Sequence, residues 1–118
     1  MTSIDDSEVK DFLLDKGSAV KSIAFSKTYN KITSDLFKKN LELKYVAFHP
    51  ESQLTAVEDF AFMLTKVEVI NFPASVKHFG KVLFMSDDYI RYVSHFNNYE
   101  TCTGNAFDGY GNPTVDEY

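Results

Sequence analysis

Val67–Tyr89, VEVINFPASVKHFGKVLFMSDDY, decides the fold of this chain. Its apolar residues fall at Val67, Ile70 and Phe72 and then, beyond a turn at Pro73, at Val76, Phe79, Leu83 and Phe84. Alone, the stretch reads as a strand, a proline turn and an amphipathic segment. The same spacing returns on both sides of it. Self-similarity at a fixed period of roughly 20–50 residues marks a repeat architecture.

Four units share the register: 20–42, 43–66, 67–89 and 90–112. The first carries Val20, Ile23 and Phe25 in front, with Tyr29, Ile32, Leu36 and Phe37 behind. The second carries Leu43, Val46 and Phe48, then Leu54, Val57, Ala61 and Phe62, with an extra residue expected in the turn near His49–Gln53. The fourth carries Ile90, Val93 and His95, then Tyr99, Cys102, Ala106 and Phe107. Residues 1–19 read as an N-terminal cap or half repeat. Val9, Phe12 and Leu13 have helical spacing, Ser7 or Asp6 offers an N-cap, and Lys16-Gly17-Ser18 a stop. Residues 113–118 form a polar, acidic tail expected to fray.

The front of each unit (KSIAF, KYVAF, EVINF, RYVSH) is a short strand by its β-branched and aromatic content. Alternation turns Ile23, Val46, Ile70 and Val93 to one side with Phe25, Phe48, Phe72 and His95. Those residues stack into a core ladder. Ser22, Tyr45, Val69 and Tyr92, with Ala24, Ala47, Asn71 and Ser94, form an open sheet face.

With the register in hand, the third unit resembles the BspA-like class of leucine-rich repeat. The residues that carry the likeness are Ile70, Phe72, Pro73, Ser75, Val76, Phe79, Gly80 and Phe84. Ala61-Phe62 and Ala106-Phe107 restore an alanine–phenylalanine pair that the third unit writes Leu83-Phe84. Ser26 and Phe96 stand in place of the proline, and Thr33, Glu58 and Thr103 in place of the glycine. The resemblance implies a short, mainly β solenoid of about four 23–24-residue repeats behind an N-terminal cap. It also implies binding of proteins or cell surfaces, and it carries over no catalytic residues.

The competing arrangement is a small doubly wound α/β domain, with helices over Thr28–Lys39 and Ser52–Leu64. It would make a ligand-binding protein or enzyme using Ser26–Asn30, His49 and Asp87/Asp88 near the strands' carboxyl ends. Two features count against it. A βαβ unit needs about 30 residues, and TCTGNAFDGYGN at 101–112 is a poor helix by its glycines and asparagines.

Composition narrows the function further. A net charge of −5 excludes a general phosphate-backbone binder, so no nucleic-acid partner is expected. No apolar run approaches a membrane span. MTSIDDSEVK lacks the apolar region of a signal peptide, so an intracellular protein or a fragment of a surface protein is expected. One cysteine excludes an intrachain disulfide. His49, His78 and His95 fall in different registers without a close ligand pair, so neither a metal nor a cofactor is expected.

His95 reads as a core histidine with one hydrogen bond, and Cys102 as a small inward thiol on the rung of Ile32, Val57 and Phe79. Ser26–Asn30 lacks the glycines of a phosphate loop. Asp87-Asp88 reads as a solvated loop pair. The stronger signal is the open face, where Lys44, Tyr45, Val69, Arg91 and Tyr92 are the candidate partner-binding residues. A non-enzymatic module that docks a protein there is the expected function. Self-association through the solenoid ends is a further expectation.

Overall fold

The computed structural model describes residues 6–108 and 111–118. A single α-helix among them, α1 (Val9–Lys16), follows a 3-10 turn at Asp6–Glu8. Val9 and Leu13, four residues apart, are buried, and Phe12 packs beside them against the core. Neither Ser7 nor Asp6 caps α1. Glu8 holds the N-cap position without a side-chain bond. The Asp6 carboxylate instead accepts the hydroxyls of Ser26 (2.6 Å) and Thr28 (2.7 Å). The helix stops at Gly17, where φ is +51° and whose N–H bonds the Leu13 carbonyl, and Asn40 Nδ2 donates a further bond to the carbonyls of Leu13 and Gly17, both at 2.9 Å.

Beyond α1 the chain winds as a β-solenoid. Its front strands are β1 (Ser22–Phe25), β3 (Tyr45–Phe48), β5 (Val69–Asn71), β7 (Tyr92–His95) and β9 (Thr114–Glu117). They pair in parallel in that order. The short strands β2 (Lys31–Ile32), β4 (Ala56–Val57), β6 (His78–Phe79) and β8 (Thr101–Cys102) make a second parallel sheet. Pairing of Ile23 with Val46, and of Ile70 with Val93, is the expected inward register. So is pairing of Ile32 with Val57, Phe79 and Cys102 in succession. The doubly wound α/β arrangement does not form: Thr28–Lys39 and Ser52–Leu64 hold β2, β4 and turns.

Two further expectations need correction. The tail expected to fray is the fifth front strand, β9, with Thr114 opposite Tyr92 and Glu117 opposite His95. Its sequence is polar because all four of its residues are exposed; the β7 ladder supplies its order. The second turn differs by more than one residue. Eleven positions separate Val46 from Val57, against nine between the paired Ile23–Ile32 and Ile70–Phe79 rungs, and the return to the front sheet is one residue shorter. The longer corner closes on itself: His49 Nδ1 accepts the Glu51 N–H at 2.9 Å, and Ser52 Oγ accepts that of Leu54 at 3.1 Å.

Phenylalanines fill the interior in ladders along the axis. Phe37, Phe62 and Phe84 stack with centroids 5.3 Å apart at each step. Phe25, Phe48 and Phe72 follow at 5.7 and 6.0 Å. His95 takes the next place on that second ladder, buried, stacked 4.3 Å from Phe107, with one hydrogen bond from its ring to the Phe96 carbonyl. The third side is a run of turns bonded to one another, as in Phe60 N to Lys81 O and Phe62 N to Leu83 O. Consecutive turns there repeat a left-handed backbone at equivalent places: Phe60 (φ +58°) and Val82 (+35°), then Leu64 (+64°) and Ser86 (+59°).

Turns approach closely at Gly80. A Cβ there would meet Asp59 Oδ1, with the Asp59 nitrogen at 2.5 Å and the Glu58 carbonyl carbon at 2.8 Å. Two of those contacts are backbone and cannot swing aside. Gly80→Ala therefore costs about 1–3 kcal/mol of stability by overpacking, measured as a lower urea midpoint. An unchanged midpoint would show that the β4 and β6 corners separate freely.

Candidate functional site

The outward rows of the front sheet assemble as the alternation requires. Tyr45 lies opposite Ser22 and Val69, and Val69 opposite Tyr92. Next to this row run Ala24, Ala47, Asn71 and Ser94, continued by Asp116. Tyr45 is 63% exposed, whereas Tyr92 and Val69 are half-buried. Lys21, Lys44, Glu68 and Arg91 directly precede the front strands in the chain. Of the candidate residues, Tyr45, Val69 and Tyr92 thus share one row, and Lys44 and Arg91 adjoin it in sequence.

Local chemistry makes that surface uneven. Arg91 pairs with Glu68 at 3.6 Å. Among the described residues Lys21 and Lys44 have no ion-pair partner, which leaves positive charge at the N-terminal side of the row. At the other side Tyr92 donates its hydroxyl to Asp116 at 2.8 Å. Hydrogen bonding with Tyr118 first, and with Asp116 next, holds the Tyr92 phenol well above its ordinary pKa. Tyr92 is thus a fixed ring and Tyr45 a free one. Ser94 Oγ bonds Asn71 Oδ1 at 2.6 Å, which ties β5 to β7 along the neighbouring row.

Sequence reasoning overlooked Tyr89 and Asp116. Tyr89 is exposed three residues before Tyr92, with the Lys66 ammonium 5.7 Å from its ring centroid. Lys66 is held in turn by Glu42 at 2.8 Å, and that bond raises the lysine pKa and lowers the carboxylate's. The spacing of Tyr89 from Tyr92 was visible. Asp116 became legible only once β9 joined the sheet.

The residues of the competing enzyme reading do not converge. Ser26–Asn30 and His49 lie at corners that follow front strands, where Gln53 N bonds Lys27 O at 2.7 Å. Ser26 and Thr28 are already engaged by the Asp6 carboxylate, which would repel a phosphate. Asp87/Asp88 lie on the return side, between the third-side turn and β7. Asp87 is not solvated as expected. It is fully buried and accepts the N–H groups of Tyr89 (2.9 Å) and Ile90 (3.2 Å) and the hydroxyl of Thr65 (3.3 Å). Burial pushes its carboxyl up to about 6.

His78 bonds Thr101 and approaches Glu100 on the back sheet. Cys102 is half-buried, and burial first, then Glu117, raises its thiol pKa. Among the described residues no three histidine, cysteine or acidic side chains gather as metal ligands. No helix among them is long and apolar enough to cross a membrane.

Comparison with known proteins matches residues 7–114 to the family described as BspA type Leucine rich repeat region, in six copies. No curated protein and no solved structure matches the chain.

Proposed function

From the premise that this chain belongs to the BspA-type leucine-rich repeat family, we propose that it is a non-enzymatic interaction module that docks a protein partner on its front sheet. Leucine-rich repeat domains generally mediate protein–protein interaction, and solenoids do so because stacked repeats present one continuous binding surface. The observation that carries the reading is the row Tyr45–Val69–Tyr92 in strand register, preceded in the chain by Lys21 and Lys44, which have no ion-pair partner among the described residues. Rigid aromatic rings supply contact area at little entropic cost, and tyrosine is enriched among residues that dominate binding energy. Unpaired lysines steer an acidic rim on the partner to the same place.

Tyr45→Ala combined with Val69→Asp tests it. The double variant lowers affinity for a protein captured by the wild-type chain by about thirtyfold or more, the size of a hot-spot loss. Lys31→Ala with His78→Ala, on the back sheet, leaves it unaltered. The readout is biolayer interferometry, with thermal unfolding as a control for folding. Full retention of binding by the front-face variant would discard this face.

A further inference from the structure

The third side of the solenoid carries an apolar strip that neither sheet covers. The stacked rings of Phe37, Phe62 and Phe84 align its turns. One place after each ring stand Lys38, Met63 and Met85, and two places before it Asp35, Phe60 and Val82. Met63 is 39% exposed and the adjoining Leu64 51%, while Phe60 and Val82 are half-buried. The turn before them is basic instead. Lys38 and Lys39 are exposed there and have no ion-pair partner among the described residues.

The backbone beneath the strip narrows what can bind it. Phe60, Leu64 and Val82 hold a positive φ without being glycine, a conformation that bulky and β-branched residues rarely adopt and that gathers at functional surfaces. The N–H groups of Phe60, Phe62 and Leu64 already bond the carbonyls of Lys81, Leu83 and Met85, at 2.8 to 2.9 Å. An added strand finds those donors taken, so a ligand must satisfy its own backbone, as a helix does. The helical pitch of about 5.4 Å matches the 5.3 Å step between the stacked rings. Apolar side chains one helical turn apart therefore fall on successive turns of the solenoid, and methionine adapts its shape to such a partner.

We infer that the third side binds an acidic, amphipathic helix of a partner protein, laid along the solenoid axis. Apolar side chains at i, i+3 and i+4 spacing rest on Met63 and Leu64 and on Phe60 and Val82, and carboxylates one turn beyond meet Lys38 and Lys39. This surface is separate from the front sheet and stands or falls without it. A second copy fits less well, because α1 buries Val9 and Leu13 and leaves one leucine, Leu14, exposed. An anionic membrane is opposed by the chain's net charge of −5.

The experiment uses the full chain and three fluorescent peptides of about 18 residues, long enough to form a helix, read by anisotropy. One carries leucines at i, i+3, i+4 and i+7 among glutamates, one has lysines for the glutamates, and one has the first composition with the leucines out of helical register. The first binds about tenfold or more tightly than either other and weakens as salt rises. Met63→Ser with Leu64→Asp removes that margin; aspartate tolerates the left-handed backbone, so the fold is kept. Lys38→Glu with Lys39→Glu reverses the preference between the glutamate and lysine peptides. Equal binding of the out-of-register peptide overturns the inference without reliance on any variant. Weakening by Tyr45→Ala also overturns it, by placing the helix on the front sheet. Binding to phosphatidylserine vesicles that Leu64→Asp abolishes would assign the strip to lipid, and a dimer in light scattering that Leu64→Asp dissolves would assign it to a second copy; either result overturns the inference.

Discussion

Phe62→Ala destabilises the chain by about 3–5 kcal/mol, the range for emptying a buried phenylalanine site. Phe62 is fully buried and stands between Phe37 and Phe84, stacked on both at 5.3 Å, with Phe72 at 6.2 Å. Its removal takes out apolar area and leaves a void in the middle of a ladder, where flanking turns are fixed by their own hydrogen bonds and collapse only partly. Domains of this size are stable by about 5–15 kcal/mol, so one ring is a large fraction of the total. In a stack of repeats, stability also depends on each interface between neighbours. The loss therefore loosens the turns before Phe62 from those after it, and urea unfolding shows a lower midpoint with a shallower slope. Phe62→Leu keeps much of the volume and costs less than half as much. A change below about 1 kcal/mol for the alanine variant, under the range for core truncation, would remove this ladder from the centre of the core.

Asp87→Asn stabilises the chain at pH 7.5 and has little effect at pH 4. The Asp87 carboxyl goes from an ordinary 3.8 to about 6 on folding because burial disfavours the charge, against opposing hydrogen bonds from Tyr89, Thr65 and Ile90. Between those values the folded chain binds more protons than the unfolded one. The stabilisation from the protonated carboxyl is thus complete below 3.8 and disappears as pH rises through 6. The span corresponds to about 3 kcal/mol. Asparagine keeps an oxygen for the Tyr89 and Ile90 N–H groups, offers an amide to Thr65, and carries no charge. Asp35 and Glu42 act oppositely. The hydrogen bond from Thr33 and that from Lys66, respectively, lower their pKa values, and they weaken the fold as pH falls, so the informative quantity is wild type minus variant across pH 4–7.5. Parallel stability curves for the two chains would refute the assignment.

Asp87 also shows where sequence reading reached its limit. Beside Asp88 it has the appearance of a solvated pair, yet it stands three residues after Phe84 as Asn40 does after Phe37 and Thr65 after Phe62. All three are buried, and each N–H bonds the carbonyl of that phenylalanine. The position is polar on the inside, a pattern that a search for apolar ladders passes over. The apolar rungs were legible because Ile23, Val46, Ile70 and Val93 recur in phase, and the open face followed from strict alternation. β9 was not legible, since TVDE carries little apolar signal and takes its order from the strand beside it. Alternation put Tyr45 and Tyr92 alike on the open face, but it could not show that Asp116 anchors Tyr92 while Tyr45 stands exposed, because Asp116 belongs to β9.

The uneven second turn has a consequence for how this scaffold tolerates change. Its His49–Gln53 corner is longer than its neighbours and its return shorter, yet Ala47 and Val57 keep their places in both sheets. The two sheets act as independent gauges, each resetting the chain once per circuit, so a length error at one corner is absorbed before the next strand. Corners of this kind are natural grafting points: a foreign loop spliced between Pro50 and Glu51 would ride outside both gauges and leave the repeat count untouched.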